Sequence, residues 1–296
     1  MGTPLSLLQW TEGTTGRDLI AHASKLERLG YHELWLPEAF GREPFATAGV
    51  LLARTSRLRI SSGIANVYAH DADSAAQAAN TLAELSDNRF SLGLGVSHPV
   101  LIAPRGHDWV KPVTKMRSYL QRLRLAPIES PRASAAAPVI VAGHGPGLLK
   151  VARDLADGAL LFLQPIEAVR RARAILGATK QLHVVVRTAL ADDPSKARAL
   201  ARRACAFYIG LPAYHAAWQR LGYVEADWQD GGSDRLIDAI CLCGTRAGIA
   251  ARLDEFAAAG ASHVVLYPCN PDEDYSASSA VSKQWDWQVL EALAPG

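Results

Sequence analysis

Cysteine is scarce in this chain and is not arranged for chemistry. Only four of the 296 residues are Cys, namely Cys205, Cys241, Cys243 and Cys269. The closest two have one residue between them, where a zinc knuckle or a redox centre would have two. A disulfide framework is excluded on that pattern, and free buried thiols in a reducing cytosol are the expectation. No apolar run is long enough to cross a bilayer, so no membrane association is expected. Charge of one sign is also missing: 31 Lys and Arg face 29 Asp and Glu, a formal net charge of +2. No basic stripe stands out, and the local cluster Arg170, Arg171 and Arg173 falls on a predicted helix as a solvated face, so no nucleic-acid partner is expected. The first residues carry no basic stretch ahead of their apolar ones, which argues against a secretory signal and for a cytoplasmic location. Two catalytic signatures are absent as well. There is no GxSxG elbow, and Gly95-Val96-Ser97-His98-Pro99 resembles one only superficially. The first apolar run leads into Thr11-Glu12-Gly13-Thr14-Thr15, which is no dinucleotide-binding glycine fingerprint.

What is present is a large stock of core residues, 49% hydrophobic against 20% charged, enough for a substantial folded unit. The stretch from Leu58 to Val96 is the most informative. It holds an apolar run, a polar loop, an alanine-rich repeat with helical spacing and a second apolar run ending in glycines. Such short, uninterrupted runs suit parallel strands covered on both faces. The same alternation continues on either side. Strands are predicted over Leu5–Trp10, Glu33–Pro37, Arg59–Ile64, Phe90–Leu94, Val139–Ala142, Ala159–Phe162, His183–Leu190 and His263–Tyr267. Helices are predicted between them, including Asp18–Leu29, one with Ala75, Ala78, Ala79, Leu82 and Leu85 on its apolar face, a long one over Ser195–Arg220, and a last one over Ser282–Leu293. Eight strands alternating with eight helices predict an α/β fold, a (β/α)8 TIM barrel, as a single domain over residues 1–296. A doubly wound open sheet is the alternative, and the missing fingerprint counts against it.

A barrel binds its ligands at the C-terminal strand ends, which selects Trp10, Glu38, Ser62 to Asn66, Ser97 and His98, Ala142 to Gly145, Gln164, Tyr267 and Asn270. Small residues dominate the third to fifth strand ends, and acids are few. Glu38, His98 and His144 could converge on a metal, but nothing in their spacing requires it, and no metal is expected. Gly143-His144-Gly145-Pro146-Gly147 reads in two ways. It is either a tight strand-to-helix turn or a loop that offers the amides of Gly145 to Leu148 to the anionic tail of a planar cofactor. His70, in the loop entering the alanine-rich helix, is expected to meet only solvent or another subunit. The aperiodic stretch Ser97–Pro112, which holds His98 and His107, is long enough to be functional.

Taken together, Glu27-Arg28-Leu29-Gly30-Tyr31, Leu34-Trp35-Leu36-Pro37-Glu38, Gly63-Ile64-Ala65-Asn66, Arg89-Phe90-Ser91-Leu92-Gly93-Leu94-Gly95-Val96-Ser97-His98, Pro138-Val139-Ile140-Val141-Ala142-Gly143 and Ala257-Ala258-Ala259-Gly260-Ala261 resemble the bacterial-luciferase-like flavin superfamily. Within it the chain is most similar to the coenzyme F420-dependent oxidoreductases. The resemblance implies a barrel that usually dimerises and binds a deazaflavin (coenzyme F420) or FMN at the strand C-terminal ends. It implies a cis peptide at Ser62–Gly63 behind the ring, with Glu38, Ser62, Gly63, Ile64, Asn66, Ser97, His98, Ala142, Gly143, His144 and Gly145 as cofactor-binding residues. The sugar-phosphate dehydrogenase branch has a histidine where this chain has Ala39, and different residues where this chain has Phe162-Leu163-Gln164-Pro165, so its acid–base scheme is not carried over.

The expected activity is hydride transfer between F420 and a small organic substrate. His98 is the first candidate for moving the proton, His107 the second, and Glu38 would orient the ring or substrate. The alternatives are an FMN-dependent monooxygenase using oxygen and a non-catalytic cofactor-binding protein. The expected partners are a small-molecule substrate and a second copy of the chain in a homodimer.

Overall fold

The computed structural model describes residues 3–275 and 283–295. Its strands are β1 (Leu5–Leu8), β2 (Glu33–Leu36), β3 (Arg59–Ser62), β4 (Ala65–Asn66), β5 (Phe90–Gly95), β6 (Val139–Ala142), β7 (Gly158–Phe162), β8 (Gln181–Leu190), β9 (Cys241–Gly244) and β10 (His263–Pro268). Every pairing is parallel, and eight strands close into a ring in the order β1, β2, β3, β5, β6, β7, β8, β10 and back to β1. The closing pair is well defined, with His263 to Pro268 opposite His183 to Thr188. Helices cover the outside, so the open-sheet alternative is excluded and the predicted TIM barrel is the fold.

Two short strands were not expected from the sequence. β4 takes up pairing with β5 beyond the end of β3, Ala65 opposite Leu94 and Asn66 opposite Gly95. β9 pairs with the last part of β8, Arg187 to Leu190, after β7 has ended. Both are too short to give a period-2 signal.

Capping side chains start the helices. Thr15 accepts from the Asp18 N–H at 3.2 Å, Asp71 from the Ser74 N–H at 2.9 Å and Thr245 from the Gly248 N–H at 3.3 Å. The alanine-rich helix is Ala72–Glu84, with Ala75, Ala79 and Leu82 buried. Leu85, expected on that face, lies past the last turn and is 76% exposed. The long helix expected over Ser195–Arg220 is two helices, Pro194–Ile209 and Pro212–Gln219. Pro212 is responsible: Leu211 before it is extended, with φ −93° and ψ 123°, and the chain restarts with proline in the first turn. The stretch 97–112 is not wholly irregular, since it contains a helical turn Pro99–Ile102 and a 3-10 turn Ala103–Arg105. The last helix spans Trp287–Ala292, and Ser282, where it was expected to begin, lies outside the described residues.

The barrel interior is filled by Leu8, Trp35, Ile140, Leu160, Val185, Val265 and Tyr267, joined at its edge by Trp10, Ala142 and Phe162. The small residues of the third and fourth barrel strands have a packing reason. A Cβ on Gly93 would collide with the Ser62 carbonyl oxygen, and a Cβ on Gly63 would come within 2.8 Å of the Trp35 Cβ. Glycine lets the backbone pass beside the large Trp35 ring.

Candidate active site

The end of β2 is tied to β4 and to the loop beyond it by one carboxylate. Glu38, nearly buried, accepts from the Asn66 N–H at 2.8 Å and faces His70 Nε2 at 3.1 Å from each carboxylate oxygen. His70 is therefore not a bystander, contrary to expectation. Its hydrogen bond to Glu38 raises its pKa against the opposing effect of burial, and the charges of Glu38 and Glu43 add to the rise. Asn66 continues the chain of contacts by accepting from the Tyr68 N–H at 3.0 Å. Glu38 thus positions β4 and the loop beyond it.

A non-proline cis peptide is present at Gly63–Ile64, one bond later than expected from the resemblance. Ser62 does not offer its hydroxyl to a ligand: it is buried and donates to the Gly93 carbonyl at 2.8 Å. Gly63 donates its N–H to the Leu36 carbonyl at 2.6 Å. The Ile64 side chain lies over Gly95, where a Cβ would strike its Cδ1.

On the opposite side of the mouth the structure gathers an aromatic and imidazole cluster. Its centre is Tyr214, from the helix Pro212–Gln219. The Tyr214 ring lies 5.0 Å from the His144 ring and 6.4 Å from the His98 ring, and 6.3 Å from Phe162 at the end of β7. His98 and His144 follow different strands, β5 and β6, and sequence placed both at the mouth. Tyr214 was missed. Its helix could be inferred from Pro212, but where its ring points depends on how a segment distant in sequence folds back.

Burial sets the charge of this cluster. It lowers the pKa of His98. His144 is pushed down to about 4, by burial first and then by the positive charges of His98 and Arg220. Both rings are neutral near pH 7. His144 Nδ1 is buried and has no hydrogen-bond partner among the described residues, as is Trp10 Nε1 at the end of β1. Unpaired buried polar atoms are uncommon, and a ligand edge would satisfy them. Ser97 adopts the left-handed conformation, φ 60°, that turns the chain out of β5.

Ala142 is half-buried at the rim of the interior cluster. Gly143 donates its N–H to the Leu160 carbonyl at 3.1 Å, and a Cβ there would lie 2.5 Å from the Leu148 Cβ. Gly145 is the N-cap of the helix Pro146–Leu155 and provides no side-chain cap. An Arg220 Nη2 comes within 3.6 Å of the point where a Gly145 Cβ would stand. Glycine cradle, helix start, unpaired imidazole nitrogen and guanidinium together fit a planar cofactor with an anionic tail. His107 is placed elsewhere, exposed, with its ring 5.7 Å from Tyr68. The expected trio of Glu38, His98 and His107 is therefore divided, with His98 alone in the imidazole cluster. Among the described residues no group of three or more His, Cys, Asp or Glu is arranged to hold a metal ion.

A surface cleft of about 720 Å³ lies at the other end of the barrel, lined by Leu5, His32, Leu58 and Val264 among others. These residues begin or precede strands, and that end of a barrel serves stability. Unpaired buried imidazole nitrogens occur at both ends, on His144 at the mouth and on His183 and His263 at the other. Chemistry is assigned to the C-terminal mouth because a barrel binds its ligands there and the glycine-built strand ends are there.

A closed parallel barrel with this mouth defines a class of proteins. Residues 6–263 match the model of the luciferase-like monooxygenase family, and the chain belongs to that family. Among curated relatives, the 5,10-methylenetetrahydromethanopterin reductase of Methanolobus tindarius is 23% identical over 86% of this chain and 92% of its own length. Among solved structures, the coenzyme F420-dependent tetrahydromethanopterin reductase of Methanopyrus kandleri superposes with a TM-score of 0.78 at 16% identity, covering 100% of this chain and 98% of that one. An F420-dependent secondary alcohol dehydrogenase in complex with an F420–acetone adduct gives 0.74 at 16% identity, covering 92% and 95%.

Proposed function

We propose that this protein is an F420-dependent oxidoreductase that transfers a hydride between the deazaflavin and a small organic substrate. The observation that carries the reading is the neutral His98–Tyr214–His144 cluster beside a glycine-built strand end, in a chain similar to proteins named for F420 chemistry. The deazaflavin, when bound, supplies the hydride acceptor or donor. The chain supplies the rest. Gly63, Ile64 and Gly95 form the backbone surface of the β3–β5 wall, and Glu38 fixes that wall through Asn66. Gly143, Gly145 and Arg220 stand where an anionic tail would meet amides and a guanidinium. His144 offers its unpaired Nδ1 to a polar edge. His98, held neutral by burial, takes the proton released when a substrate C–H bond is oxidised, and returns it in the reverse direction. Tyr214 and Phe162 shield this proton transfer from water.

A homodimer belongs to the same proposal, as does a cytoplasmic location. No described helix is long and apolar enough to cross a membrane. Titration of the purified chain with F420 and with FMN, followed by ligand fluorescence, tests the reading. The expected result is F420 binding at least about tenfold tighter, a difference of about 1.4 kcal/mol, with substrate-dependent change in its redox state. Preferential FMN binding with substrate-dependent oxygen consumption would overturn it in favour of a monooxygenase.

A further inference from the structure

All four cysteines, spread over 65 positions of sequence, are brought to one region of the fold. Cys205 is on the helix Pro194–Ile209, Cys241 and Cys243 are on β9, and Cys269 directly follows β10. Cys205, Cys241 and Cys269 are buried, and Cys243 is half-buried beside them. The Cys205 and Cys241 sulfurs are 3.5 Å apart, and β9 sets Cys241 opposite Arg187 of β8. Arg187 is fully buried, with its guanidinium 3.5 Å from the centre of the Tyr267 ring.

We infer that Cys205 and Cys241 are a redox-active pair, which a small hydroperoxide converts to a disulfide. A disulfide has its sulfurs about 2.05 Å apart, so the two must approach by roughly 1.5 Å. The two thiols are not equivalent. The hydrogen bond from Cys241 and the Arg187 charge lower the pKa of Cys205 against burial, whereas Cys241 is raised. Of the two, Cys205 therefore ionises the more readily and reacts first. Its sulfur attacks the peroxide oxygen, forming an S–O bond as the O–O bond breaks, and the departing hydroxide or alkoxide takes up a proton. The Cys241 sulfur then displaces the hydroxyl from Cys205, forming the S–S bond and releasing water with the Cys241 proton. Two thiols lose two electrons, and the peroxide is reduced to water plus water or an alcohol.

The position of the pair gives the bond a consequence. Cys205 and Cys241 are the two roots of the excursion 206–240, which carries the helix Pro212–Gln219 and Tyr214 to the mouth. A disulfide would tie off that excursion at its base. The inference does not depend on which cofactor the chain binds.

The test uses the reduced, full-length chain treated with hydrogen peroxide, then denatured, alkylated and weighed. Two thiols protected from alkylation, a mass lower by two hydrogens before alkylation and reversal by dithiothreitol are expected. Fragmentation should join Cys205 to Cys241, since Cys241 and Cys243 share a tryptic peptide. Cys243→Ser should retain the cross-link and Cys205→Ser should lose it, with Cys205→Ala as the apolar replacement if serine at that buried site lowers the yield. Closing a loop of this length should raise the melting temperature of the oxidised chain by about 5 °C. Four alkylated thiols after peroxide, a cross-link made through Cys243 or Cys269, or one that survives in Cys205→Ser would overturn the inference.

Discussion

His98 shows how much of a residue's chemistry is set by its surroundings. An exposed histidine is divided between its charged and neutral forms near pH 6.5. Burial beside Tyr214 and His144 lowers the pKa of His98 and leaves it a neutral base at pH 7. Replacing His98 with Ala should lower kcat by about 10²-fold or more while cofactor affinity, measured by fluorescence titration, changes little. Turnover equal to the parent would remove His98 from the proton path. In the direction that needs a base, kcat/KM should rise with pH through the lowered pKa and be level above about 6.5. A limb centred above that pH would assign the proton to another group. His98 was legible in the sequence because it follows a strand in a barrel; its protonation state was not, because burial is set by Tyr214, more than a hundred residues away.

At the scale of strands and helices, the N-terminal ends of β2, β8 and β10 bring three histidines together. The His183 and His263 rings stack in parallel, 4.4 Å apart and 5° from coplanar, and His32 lies 5.2 Å from His263. Trp35 packs against His183, Gln181 bonds to it at 2.9 Å, and the Arg59 charge reaches the group while Glu33 offsets it at His32. Burial, with the charges of His32 and Arg59, holds His263 down to about 4. A depressed folded pKa means that the unfolded chain binds more protons below its own value of about 6.5. The stabilisation is thus complete above pH 6.5 and is lost as pH falls from there towards 4, by an amount on the order of 2 kcal/mol for His263. The Glu38–His70 pair has the opposite sign, since its raised pKa stabilises the fold below about 6.5 and fades above its folded value. Thermal denaturation from pH 7 to pH 4 should show a falling melting temperature, with a smaller fall in His263→Phe. An unchanged slope in that variant would mean that the loss arises elsewhere. None of this clustering is visible in the spacing of His32, His183 and His263, because barrel closure sets β8 beside β10.

At the scale of the whole molecule, closure of the ring leaves no open sheet edge on the eight barrel strands. Apolar residues remain on the outside, among them Val50 on the helix Pro44–Arg54 and Leu85 past the end of the neighbouring helix, 51% and 76% exposed. In the proposed homodimer a second copy would cover them. Light scattering of the purified chain should give twice its mass of 31.8 kDa, and a single-chain mass over the working concentration range would exclude the homodimer. The barrel was legible because its strands are continuous apolar runs separated by capped helices, a local pattern that each segment carries in its own residues. The placement of Glu38, Asn66, His98 and Gly145 at the mouth follows from that order alone, since each sits where a strand ends. Three things were decided only in the folded chain. The carboxylate of Glu38 is engaged by His70, His107 is turned out towards Tyr68, and Tyr214 and the four cysteines converge from the 205–269 region. The physical reason is common to all three: strand and helix periods are written in neighbouring residues, whereas burial, charge state and side-chain contact depend on which distant segments the closed barrel brings side by side.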